Sequence, residues 1–96
     1  MPDGLRDSVV RLDGSRCRCC GSGRNGALHV HHVMYRSQGG PHEQSNLITL
    51  CVDCHMVVHS DKRRYQPLCL GVIWLRSFGD KQVTVRSLER KLSENT

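Results

Sequence analysis

A small α+β domain, with two short strands and a helix at its centre and helical segments on either side, is the fold class that the sequence predicts. Three observations predict it: two runs with strand character, helix-like apolar spacing near both ends, and two Cys-x-x-Cys pairs bracketing the central stretch. At 96 residues, with only four aromatic side chains and nine glycines, the chain buries too little apolar surface to fold without a staple.

Leu5, Val9 and Leu12 are spaced by four and then three, one face of a helix over Leu5 to Leu12, and Asp13-Gly14 closes that segment as a turn. Cys17-Arg18-Cys19-Cys20-Gly21 follows, then a loop rich in Gly, Ser and Asn through Gly26. Leu28 to Met34 alternates apolar residues with histidines and reads as a strand. Ser37 to Pro41 is loop, because two glycines before a proline continue neither strand nor helix. Asn46 to Leu50 is a second β-like run, and a helix is expected from about Val52 to Ser60.

Beyond Asp61 comes the basic cluster Lys62-Arg63-Arg64; Pro67 is expected to break the chain, and Leu68 to Phe78 is apolar on nearly all sides. Gly79-Asp80 is a turn, and Thr84 to Leu92 is a terminal helix with Val85, Leu88 and Leu92 on one face. With no linker in view, residues 1–96 read as a single domain: a motif core over 17–60 and a tail over 61–96 packed on it.

Six cysteines offer disulfides or a metal as the staple. Met1 to Ser8 is polar and unlike a secretory segment, and Leu68 to Leu75 is too short to span a bilayer, so no membrane is expected. A cytoplasmic, reducing setting follows as the expectation, and there paired cysteines are read as metal ligands first. Cys17-x-x-Cys20 and Cys51-x-x-Cys54 have the spacing at which two sulfurs meet one ion, and 30 residues between the pairs leave room for a functional loop. Four thiolates close the coordination of a zinc ion, so this site is structural. Cys19 would break the two-residue spacing and is set aside; Cys69 reads as a core residue. A redox pair is the weaker alternative, since no βαβ pattern surrounds either motif.

Four histidines form a second pattern. His55 and His59 lie four apart on the predicted helix and share a face. His31 and His32 are neighbours on the predicted strand and point to opposite sides, so one can hold a metal while the other stays off it. That division suits phosphodiester hydrolysis. A free imidazole takes the proton of attacking water, and a divalent ion on neutral imidazoles stabilises charge on the phosphate and the departing oxygen.

The run Leu28-His29-Val30-His31-His32-Val33, then Gly39-Gly40, then Asn46-Leu47 through Cys51-Val52-Asp53-Cys54-His55 to His59 resembles the HNH, or ββα-metal, endonucleases. The resemblance covers roughly Cys17 to Ser60. It implies that His32 is the general base, that His31, His55 and His59 hold the catalytic divalent ion (Mg2+, Mn2+, Ni2+ or Zn2+), and that Asn46 braces the loop holding the base. Many members of the family have Asp where His31 stands, and His-His is a known variation. The resemblance further implies a DNA nuclease or nickase giving 5′-phosphate and 3′-hydroxyl ends. Small stand-alone members are encoded by phages and prophages, where they accompany packaging proteins. His29 and His42 match no motif position and are expected to face solvent, contacting phosphate at most.

A net charge of +5 suits a polyanionic partner such as DNA. Arg36, Lys62, Arg63 and Arg64, with Arg24, flank the motif and could clamp phosphates. A solvated basic face is the bland alternative, and no element for sequence-specific readout is evident. Two other functions compete with this one. In one, a non-catalytic zinc module closes a second metal site with His31, His55 and His59; it has no use for an unligated His32. The other, a two-cysteine two-histidine finger, fails because 34 residues separate Cys20 from His55 where about 12 are usual.

Overall fold

The computed structural model describes residues 3–23 and 28–94; Arg24 lies outside them. The chain runs through helix α1 (Asp3–Leu12), strand β1 (Leu28–His32), strand β2 (Leu47–Cys51), and helices α2 (Val52–Ser60), α3 (Lys62–Ser77) and α4 (Val85–Glu94). It is the small α+β fold expected. The strands pair antiparallel, with His31 opposite Ile48 and His32 opposite Leu47. Between them lie two short 3-10 turns, Arg36–Gln38 and Gln44–Asn46.

The expected strand over Leu28 to Met34 stops at His32. The pairing continues through a side chain: Val33 N–H donates to the Asn46 carbonyl at 2.9 Å, then Met34 N–H donates to Asn46 Oδ1 at 2.8 Å. Strand β2 is buried from Leu47 to Leu50 on both of its faces, because α1 and α3 as well as α2 pack against it. It therefore reads as a continuous apolar run rather than an alternating one.

Two helix starts follow from local chemistry. Cys51 caps α2, its sulfur accepting the Cys54 N–H, and Asp61 caps α3 by accepting from the Arg64 N–H. Pro67 does not break the chain but sits inside α3. A proline there removes the bond to the Arg63 carbonyl, yet Arg63 and Pro67 are exposed and water can serve that carbonyl. Burial of Leu68, Cys69, Val72 and Ile73 on the other face offsets the loss.

Helix α4 docks onto the first cysteine pair. Val85 and Arg86 N–H groups donate to the carbonyls of Arg18 and Cys19, at 2.8 and 3.1 Å. Thr84 and Ser87 cap the same end reciprocally. Gly71 lets α3 approach it, since a Cβ there would lie 2.9 Å from Leu88 Cδ2. One cluster of buried side chains runs from Cys17 and Cys19 through Ile48, Leu50 and Val58 to Cys69, Val72 and Val85.

A polar network crosses that core. Asp13, 1 % exposed, accepts from Arg76 Nη1 at 3.0 Å and from the Thr49 N–H at 2.9 Å. Arg18, equally buried, places Nη1 3.5 Å from the same carboxylate and donates to the carbonyls of Val83 and Asp80. Arg76 also donates to the Gln44 carbonyl at 2.7 Å. No helix of the described residues is long and apolar enough to cross a membrane.

Candidate functional site

The cysteine pairs meet at the junction of β2 and α2. The sulfurs of Cys17, Cys20, Cys51 and Cys54 all lie within 4.8 Å of one another, and those of Cys20 and Cys51 are 4.0 Å apart. A tetrahedral ion with bonds of about 2.3 Å needs sulfurs separated by just under 4 Å, so the quartet fits zinc. Backbone N–H groups of Cys19 and Cys20 point at Cys17 Sγ, and that of Cys54 points at Cys51 Sγ. These donors favour the thiolates that a metal requires. Burial pushes the Cys17 and Cys54 thiols up, so without an ion they hold their protons. Cys19 is buried in the adjoining core, outside the quartet, and burial pushes the Cys69 thiol up to about 12, as suits a core residue.

The histidines line a separate cleft of about 410 Å³, which β1 and α2 form with the turn after Tyr35. His31 is 6 % exposed and its ring meets that of His55 at 5.0 Å between centroids. Burial first, then the charges of His55 and His59, push the His31 imidazole down to about 4. It is neutral at physiological pH, as a metal ligand must be. Burial and His29 lower His55 as well.

His55 and His59 each have Nδ1 engaged by a side chain. His29 Nδ1 lies 2.9 Å from His55 Nδ1, and Tyr35 Oη lies 2.8 Å from His59 Nδ1, with the Tyr35 and His59 rings stacked. Such partners fix the tautomer of a ligating histidine and leave Nε2 for the ion. The three rings share the cleft, but their ring nitrogens are not drawn within the 4.8 Å that the cysteine sulfurs achieve. The expected set is thus gathered on one face and not closed around a point.

His32, the next residue of β1, also lines this cleft, but its ring meets His42 rather than the other three histidines. Its Nε2 is 2.8 Å from His42 Nδ1, and Nδ1 has no hydrogen-bond partner among the described residues. Burial and the Arg36 charge lower its pKa. Asn46 is 4 % exposed and ties three points together: Oδ1 accepts from the Met34 N–H, and Nδ2 donates to the Met34 and Pro41 carbonyls at 3.0 Å. Gly40 packs so tightly here that a Cβ would fall 1.8 Å from the Met34 oxygen.

The basic residues divide. Arg36 lines the cleft, and Lys62 lies 4.1 Å over the Tyr35 ring beside it. Arg63 is exposed. Arg64 does not extend as a free phosphate clamp; Nε and Nη2 both donate to Glu89 Oε2 of α4, at 2.9 and 2.6 Å. A larger groove of about 930 Å³ between α1 and α3 includes His42 but none of His31, His55 or His59.

His42 departs from the solvent-facing expectation, being half-buried against His32, whereas His29 is exposed as expected, with its Nδ1 at His55. His29 was legible, since it stands two before His31 and so shares its face of β1. His42 lies in an irregular loop whose path no periodicity reports. No curated protein and no solved structure matches the chain. The model of the HNH endonuclease family matches residues 17–61, the segment carrying the cysteine quartet, both strands and α2.

Proposed function

We propose that this chain is a metal-dependent endonuclease or nickase that hydrolyses DNA phosphodiester bonds with His32 as general base. The observation that supports it is the division of neighbouring histidines on β1: the His31 ring meets His55, whereas His32, lining the same cleft, meets His42 and keeps Nδ1 unengaged. A purely structural second metal site has no use for that spare imidazole.

In the reaction His32 takes a proton from water, the water oxygen bonds to phosphorus, and the bond to the 3′ oxygen breaks. That oxygen takes a proton from solvent, and the ends are 5′-phosphate and 3′-hydroxyl. The lowered pKa of His32 keeps it neutral, and so able to accept, near pH 7. His31, His55 and His59 would hold a divalent ion (Mg2+, Mn2+, Ni2+ or Zn2+), which when bound supplies charge stabilisation at the phosphate and leaving oxygen. Asn46 braces the segments on either side of the base. Arg36, Lys62 and Arg63 contact DNA phosphates, with Arg64 the least available of the four. The resemblance extends the proposal to a phage-encoded enzyme of the bacterial cytoplasm, working beside packaging proteins.

Plasmid incubated with the zinc-loaded protein and each ion in turn tests the proposal. Nicked or linear product is expected, falling at least about 100-fold in His32→Ala. Undiminished cleavage by that variant removes His32 as the base, and no cleavage with any ion removes the enzymatic function.

A further inference from the structure

His42 stands next to the candidate base without any assigned role. Its Nδ1 lies 2.8 Å from His32 Nε2, and the rings meet edge to face at 4.9 Å. The contact is held by the fold. Asn46 donates to the carbonyl of Pro41, the residue before His42, and pairs with both backbone groups of Met34, two residues after His32. One buried amide therefore sets the distance between the two segments that carry the two imidazoles.

We propose that His42 is the positioning residue for His32, accepting its Nε2–H and so holding it in the tautomer that leaves Nδ1 unprotonated; the inference rests on His32 being the base. The polarity follows from what a base requires, a ring nitrogen free to take a proton. If His42 donated instead, His32 would carry its proton on Nδ1 and offer its Nε2 lone pair to His42, leaving no nitrogen free to receive a proton from water. With His42 accepting, its own proton sits on Nε2. When water gives its proton to His32 Nδ1, the ring becomes an imidazolium and the Nε2–H bond to His42 becomes charge-assisted and stronger. The interaction thus grows along the reaction, which assigns its effect to kcat rather than to DNA binding.

The test compares wild type, His42→Phe, which keeps ring volume without an acceptor, and His42→Asn, which restores an acceptor near the Nδ1 position. In steady-state nicking of plasmid, kcat is expected to fall about 10- to 100-fold in His42→Phe, with KM within about twofold, and to recover in His42→Asn. Long-range 1H–15N NMR of the zinc-loaded proteins should show His32 as a single Nε2–H tautomer in wild type and a mixture in His42→Phe. An active wild type with equal kcat and unchanged His32 tautomer in His42→Phe overturns the role of His42 alone. A loss confined to KM also overturns it, making His42 a DNA contact. A wild type that nicks nothing overturns the nuclease proposal, and with it any catalytic use of His42.

Discussion

Asp13 and Arg76, 63 positions apart, form an ion pair at 3.0 Å with neither side chain more than 4 % exposed. Asp13 follows α1 directly and Arg76 lies in the last turn of α3, so the pair ties the two outer helices across β2. With Arg18 it makes a buried group of two guanidiniums on one carboxylate. Removing the carboxylate strands two cations in the core. Asp13→Asn should therefore cost about 3–5 kcal/mol of folding stability in urea melts of the zinc-loaded protein. A loss under about 1 kcal/mol would contradict the ion network as drawn.

The cysteine quartet predicts metal stoichiometry. Cys51→Ser should abolish the tightly held ion and leave an unfolded or partly folded chain, whereas Cys19→Ser should retain one equivalent. Cobalt substitution gives the readout, because a tetrathiolate site has intense visible bands that a three-sulfur site shifts. Identical cobalt spectra for wild type and Cys51→Ser would exclude that ligand.

Gly39 and Gly40 differ in what they tolerate. Gly39 adopts φ 83° with open space around its Cβ position, so Gly39→Ala should cost about 1 kcal/mol. Gly40→Ala must push backbone away from the Met34 carbonyl, and with it the loop that carries His42. Its loss of stability should exceed that of Gly39→Ala by at least about 2 kcal/mol. Equal thermal midpoints for the two variants would be incompatible with this packing.

Acid sensitivity follows from His31. Burial, His55 and His59 hold its folded pKa at about 4, below the ordinary 6.5. Between those values the unfolded chain binds a proton that the folded chain refuses. The stabilising contribution is therefore complete above about pH 6.5 and lost as pH falls toward about 4, on the order of 3 kcal/mol at most. With only the cysteine site filled, wild type should lose stability from pH 7 to 5.5 more steeply than His31→Phe. Parallel pH dependences in the two proteins would rule out His31 as the source.

Arg36 and Arg64 should separate in DNA binding. Arg36→Ala removes a charge from the cleft and should lower the salt-dependence slope by about one. Arg64 is committed to Glu89 in an exposed pair, so Arg64→Ala should leave the slope nearly unchanged and cost under about 1 kcal/mol of stability. Fluorescence anisotropy on a short duplex at several salt concentrations measures both, and a larger slope change for Arg64 would reverse their assignment.

Much of the site is legible because its chemistry repeats locally. Two residues between cysteines bring sulfurs to one ion, and alternation along β1 sends His31 and His32 apart, whatever the rest of the chain does. The same rule places His29 with His31, exposed and within reach of His55. The place of Pro67 inside a helix is not legible, because a proline's cost is local while the burial that outweighs it, from Leu68 to Ile73, is tertiary. The pairing of Arg64 is illegible for the same reason, since Glu89 reaches it from another helix.

The small α+β class, the cysteine quartet and the strand-and-helix placement of four histidines are all legible along the chain. Each depends on spacing within a few residues, and backbone geometry converts spacing directly into direction. The shared buried network of Asp13, Arg18 and Arg76, and the meeting of His42 with His32, come from packing between distant segments. Those pairs join segments through irregular loops, where separation along the chain carries no period. Their distance is set by what packs between them: Asn46 for the imidazoles, and the two-sided burial of β2 for the ions.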